Sequence, residues 1–158
     1  YAGCSVAVTL AESAYYRMIF WQSMPTPAPK PILRTAHTLF SVSYQTERGI
    51  ALHQPPFSQH QALLTSKTDY QHTQLLGSAM RSAGVDAFEY QSARAAGCEL
   101  CIGLFNPRAF VTRQPEHSSQ WLCELSAQQV VFKQHGETQL HSFSAEQFWV
   151  EGKLPLPA

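Results

Sequence analysis

Between residues 85 and 105 the chain reads Val-Asp-Ala-Phe-Glu-Tyr-Gln-Ser-Ala-Arg-Ala-Ala-Gly-Cys-Glu-Leu-Cys-Ile-Gly-Leu-Phe. This stretch gathers the residue types that could act on a ligand. With the two-residue period of a strand, Phe88, Tyr90, Ser92 and Arg94 point to one side. A hydroxyl and a guanidinium then stand beside aromatic rings, the group set of a pocket for a sugar and a phosphate. A second set lies near the start. Glu12, Tyr15, Tyr16 and Ile19 recur at three- and four-residue steps and fall on one face of a helix, beside the stripe that would be buried. That face presents a carboxylate with at least one tyrosine ring. Taken singly, each of these residues has an ordinary structural use: a glutamate as cap or solvated face, a serine as turn residue, an arginine as surface charge.

Other chemistry-bearing residues form no comparable pattern. Cys98-Glu-Leu-Cys101 has the spacing of a redox pair or half a zinc site, but Cys4 and Cys123 stand alone. If residues 99–105 form a strand, thiols three positions apart face opposite ways and cannot chelate together. A thiol-redox or zinc reading is therefore disfavoured, and both cysteines are expected as small buried hydrophobes. The seven histidines show no HxH or HExxH spacing and read as surface polar residues. No Gly-x-Ser-x-Gly elbow surrounds Ser92, which argues against a Ser–His–acid hydrolase.

The elements that must position these residues follow from periodicity. Ser5 to about Trp21 reads as a helix with Ala7, Leu10, Ala14, Met18 and Trp21 as its buried stripe. Ser5 is the expected N-cap, with Thr9-x-x-Glu12 as an alternative capping box. Four prolines in Met24–Pro31 make a stiff crossing loop. Ile32–Gln45 alternates as a long strand or bent pair, and Gly49–His53 is a short strand. Asp69 should cap a second helix over about Tyr70–Ala83, with Leu75, Leu76, Ala79 and Ala83 inward and Gly84 just past its end. Strands follow near Val85–Gln91, Glu99–Phe105, Trp121–Ser126, Val130–His135 and Thr138–Ser142, with Gly136 turning the last hairpin. Glu99–Phe105 is apolar on both faces and should be central. A single helical turn is expected from Ser144, and Leu154-Pro-Leu-Pro should end extended. The fold class is α+β, a mixed or antiparallel sheet core with two main helices.

At 158 residues the chain suits one domain. Its 44% hydrophobic content supports a core, while only 14% of residues are charged and the net charge is zero. Such a surface builds no field to gather nucleic acid or an anionic membrane, so neither partner is expected. No apolar run approaches the ~20 residues of a membrane span. Reduced thiols and the lack of a visible signal peptide suit a cytoplasmic protein. A surface this neutral is also compatible with self-association into a homo-oligomer.

The motifs Tyr1-Ala-Gly, Leu10-Ala-Glu12-Ser-Ala-Tyr-Tyr16-Arg17, Asp69-Tyr70, Gly84-Val-Asp86, Tyr90-Gln-Ser92-Ala-Arg94, Leu104-Phe-Asn-Pro107-Arg-Ala-Phe110 and Trp121-Leu-Cys-Glu-Leu occur in an order and spacing that resemble the RES-domain family over most of residues 1–132. That resemblance implies one domain over residues 1–158 with an ADP-ribosyltransferase-like fold. It also implies an NAD+-consuming toxin neutralised by an Xre-type antitoxin protein. NAD+ would be substrate, with no cofactor and no metal. Glu12 and Ser92 match the family's Glu and Ser and are the expected catalytic residues. Tyr1, Tyr16 and Arg94 are the expected substrate-binding residues. The family's arginine would lie upstream of Tyr1, so the chain is expected to be cut short at its N terminus. A non-catalytic, RES-like interaction module without that arginine is the alternative.

Overall fold

In a computed structural model that describes residues 1–156, the chain forms two four-stranded sheets that share one helix. In chain order the strands are β1 (Ala2–Gly3), β2 (Leu33–Ser41), β3 (Gly49–Ala51), β4 (Ala87–Gln91), β5 (Leu100–Leu104), β6 (His117–Leu125), β7 (Gln129–Gln134) and β8 (Leu140–Ser144). The helices are α1 (Val6–Gln22), the single turn α2 (Gln61–Leu64) and α3 (Gln71–Ser82). One sheet has the order β1-β5-β4-β3 and the other β2-β6-β7-β8. All pairs are antiparallel except β3 with β4. The architecture is α+β, as the alternation of periods predicts.

Ser5 starts α1: its backbone is extended and its Oγ accepts the Val8 N–H at 3.3 Å, the cap expected from its type. Such a cap stabilises a helix by ~1 kcal/mol. Leu10, Ala14 and Met18 then face the second sheet, where they meet Trp121, Leu125 and Phe132. Val8 and Ala11 are buried one turn away, and α1 also touches β1 and β5 of the first sheet. The helix is thus the common wall of both sheets, which leaves Glu12 at the seam between them. Ala7, expected in the stripe, is exposed, because the first turn of α1 buries the Val8 side instead.

The first sheet carries the second core, built from Leu52, Met80 and Phe88 with Leu76, Tyr90 and Phe105 against them. Glu99–Phe105 is central as expected: β5 lies between β1 and β4. Gly103 sits opposite Phe88 in this ladder, and a Cβ on Gly103 would lie 2.3 Å from the Phe88 ring. The glycine is what lets that ring lie flat across the sheet. At the end of α3, Gly84 has φ 71° and its N–H reaches the Arg81 carbonyl, while the Val85 N–H reaches that of Met80. This paired closure is the reason a glycine follows the helix.

Several expectations change. The inward face of α3 is Thr73, Leu76, Gly77 and Met80, while Leu75, Ala79 and Ala83 are exposed. Asp69 accepts the Gln71 N–H at 3.0 Å, one turn position away from the residue at the cap. Ile32–Gln45 is strand only to Ser41, after which Tyr44 makes an isolated bridge to Phe110. Cys98, expected as a buried hydrophobe, is exposed in the 92–98 loop, while Cys101 is buried as expected. His37, His53 and His141 are half-buried rather than on the surface. The turn expected after Ser144 is present at Ala145–Phe148, and Leu154 is buried; of the expected extended tail, Pro157 lies outside the described residues.

Candidate active site

Glu12 and Ser92 come together. The Ser92 Oγ donates to the Glu12 Oε1 at 2.6 Å, across 80 positions of sequence. Glu12 is placed by the seam position of α1, and Ser92 by the end of β4, where its N–H reaches the Glu99 carbonyl at 2.8 Å. The Ser92 Oγ also accepts the N–H groups of Arg94 and Ala95, each at 3.0 Å. One donor and two acceptors are a hydroxyl's full capacity. Ser92 is only 4% exposed. Its oxygen therefore has no hydrogen-bonding capacity left for a ligand. It fixes the carboxylate instead, and it shapes the loop that carries Arg94.

A second donor approaches the same oxygen. The Cys101 Sγ lies 3.9 Å from Glu12 Oε1, and burial first, then the Glu12 charge, push the thiol up to about 11. A thiol held protonated can only donate to that carboxylate. Tyr90, beside Cys101, is raised by burial and by the neighbouring Cys101 and Glu12, so it stays a neutral phenol. Tyr16 is raised in the same sense, chiefly by desolvation and then by Glu12.

Glu12 faces a cleft of about 670 Å³, within the size range of small-molecule sites. One wall is α1 with Glu12 and Tyr16, the opposite wall is α3 with Thr73 and Gly77, and the floor is the ring row Tyr90, Phe88 and Phe105. Tyr1 stands over this floor, edge-on to Phe88 and Tyr90 with centroids 6.2 Å away, and is 90% exposed. Tyr16 is 56% exposed at the rim. Ser92 is behind this surface; the other four expected residues line it.

Arg94 is held on two sides. Its Cζ lies 3.8 Å over the Tyr15 ring, and its Nη2 donates to the Tyr70 hydroxyl at 2.7 Å. The Tyr70 hydroxyl in turn donates to the Lys67 carbonyl. The remaining Nη1 is buried and has no acceptor among the described residues. A guanidinium pinned flat with one edge unused is suited to a phosphate or carboxylate oxygen. Tyr15 and Tyr70 escape a reading by type alone. Tyr15 looks like rim to the core, and only its place one turn beyond Glu12 hints at the platform it provides.

The residues brought together here are those of the motifs strung along the sequence, and a family model for the RES domain matches residues 1–126. The chain belongs to the RES-domain family. No curated protein matches the sequence. The RES match contains Glu12, Ser92, Arg94, the cleft floor and both of its helical walls. It ends just after β6, yet β7 and β8 complete the sheet on which the RES domain's α1 packs. No helix among the described residues is long and apolar enough to cross a membrane.

Proposed function

We propose that the protein cleaves the nicotinamide–ribose bond of NAD+, as an enzyme and toxin of the RES type. The observation that carries this reading is a single carboxylate, Glu12, fixed by Ser92 at 2.6 Å on the wall of a cleft that also holds a half-satisfied guanidinium. The C–N bond breaks with its electron pair going to the ring nitrogen of nicotinamide, which leaves neutral and needs no general acid. The ribose passes through an oxocarbenium-like state, as in glycoside hydrolysis. Glu12 would accept a hydrogen bond from a ribose hydroxyl and stabilise the positive charge developing on the ring. An acceptor oxygen then bonds to the anomeric carbon and releases its proton, whether it comes from water, inorganic phosphate or a macromolecule. Arg94, which lines the cleft, would meet a phosphate, and Tyr1 and Tyr16 would flank the nicotinamide ribose.

No ionisable group of the site other than Glu12, Arg94 and the tyrosines is required, and no metal or cofactor enters this scheme. As a toxin it would be neutralised in the cell by an Xre-type partner, and the chain would act in the cytoplasm as one domain. The deciding experiment is NAD+ consumption followed by mass spectrometry, with and without phosphate, for the wild type and Glu12→Gln. Appearance of ADP-ribose or its phosphorylated product in the wild type, with a loss of at least ~100-fold in the variant, is expected. Equal turnover by both would remove Glu12 from the reaction. No turnover by a folded wild type would favour a non-catalytic RES module.

A further inference from the structure

Far from Glu12, the cleft holds a second guanidinium that the proposed reaction does not use. Arg81 lies in the last turn of α3 and lines the same cleft as Glu12 and Arg94. These three are its only charged lining side chains, so a molecule of zero net charge concentrates positive charge in this hollow. The Arg81 Cζ stands 4.5 Å from the centroid of the Phe105 ring. Among the described residues its side chain makes no hydrogen bond and no ion pair. Five N–H donors are thus oriented by an aromatic face and left without an acceptor.

The floor links the two ends. Tyr90 lines the cleft together with Glu12, Phe88 is 5.7 Å from Tyr90 between ring centroids, and Phe105 is 5.0 Å from Phe88. Arg81 caps this file of rings at the end away from the carboxylate. The wall beside it is open: Gly77 lines the cleft, and a Cβ there would meet nothing within 4 Å. A ligand that reached only from Glu12 to Arg94 would leave this end empty.

We infer that Arg81 binds a phosphate of the adenylate half of the substrate and makes the cleft select a dinucleotide over a nicotinamide mononucleotide. The inference rests on the NAD+ reading, but the anion site can be tested apart from it. The probes are ADP in calorimetric titration, and NAD+ and nicotinamide mononucleotide in turnover. Arg81 is exposed and bonds to nothing, so Arg81→Ala should fold, with circular dichroism as the check.

Arg81→Ala is expected to weaken ADP about tenfold or more, the scale of one charge-assisted hydrogen bond. Arg81→Lys should recover part of that loss, since it restores charge without the fork. For NAD+ the loss should appear in KM with kcat retained, while turnover of the mononucleotide stays unchanged. Unaltered ADP affinity in Arg81→Ala, no ADP binding by the wild type, or an equal loss for both substrates would each overturn the assignment. A wild type that binds ADP through Arg81 yet leaves NAD+ intact would keep the anion site and remove the reaction.

Discussion

The contact between Ser92 and Glu12 separates two roles that a motif runs together. A serine that held the substrate would have lone pairs to spare, whereas this one spends its hydrogen on Oε1 and its lone pairs on two loop amides. It acts through Glu12, and that can be measured. Ser92→Ala should cut kcat about tenfold or more, since a charge-assisted hydrogen bond is worth ~1.5–3 kcal/mol. It should also cost stability, because the Arg94 and Ala95 amides lose their acceptor. The decisive readout is a double-mutant cycle. In a Glu12→Gln background the further loss from Ser92→Ala should nearly vanish, as expected of groups acting as a unit. Additive losses would mean that Ser92 meets the substrate directly. The serine's identity was legible in the sequence through its order after Phe88 and Tyr90. Its role was not, because a hydroxyl's remaining capacity depends on partners 80 positions away and on a loop whose turn no periodicity encodes.

Elements were read best where one period ruled. The capped α1, the central β5, the glycine ending α3 and the Gly136 hairpin all follow from local rules. The failures share a cause. α3 has leucines at consecutive positions 75 and 76, and the stripe through Leu75, Ala79 and Ala83 is as apolar as the one through Leu76 and Met80. Only the partner sheet decides between them, and it selects the face bearing Gly77, which opens the cleft. Likewise nothing local says that β2 pairs with β6 over nine residues and leaves the first sheet. Gly103 shows how an element sets the site. Because its Cβ would fall 2.3 Å from the Phe88 ring, Gly103→Ala must push that ring off the cleft floor. Overpacking of this kind costs ~1–3 kcal/mol. We expect a lower unfolding midpoint together with a raised KM for NAD+, and wild-type values of both would show that the ring has room to shift.

For the whole molecule, the seam between the two sheets carries a group that responds to alkaline pH. Tyr15, in the centre of the larger core, donates its hydroxyl to the Pro155 carbonyl at 2.6 Å and carries Arg94 on its ring. Burial, the largest influence, pushes its pKa from 10.0 up to about 12, with Arg94 pulling the other way. Tyr90, Tyr44 and Cys101 are raised as well, each first by desolvation. A phenol whose folded pKa stands above its unfolded one holds its proton more tightly in the folded state. That stabilisation is complete below about pH 10 and is lost as pH rises toward 12. Urea midpoints should therefore begin to fall near pH 9, where an unfolded Cys101 loses its proton, and fall further between pH 10 and 12 as the phenols follow. Tyr15→Phe removes one of the titrations along with the bond to Pro155, so its midpoint should start lower at neutral pH and decline less steeply above pH 10. A variant that declines as steeply as the wild type would place the alkaline sensitivity away from the seam. A gentler slope would tie the stability of both sheets to the same tyrosine that supports Arg94, because α1 packs against both of them.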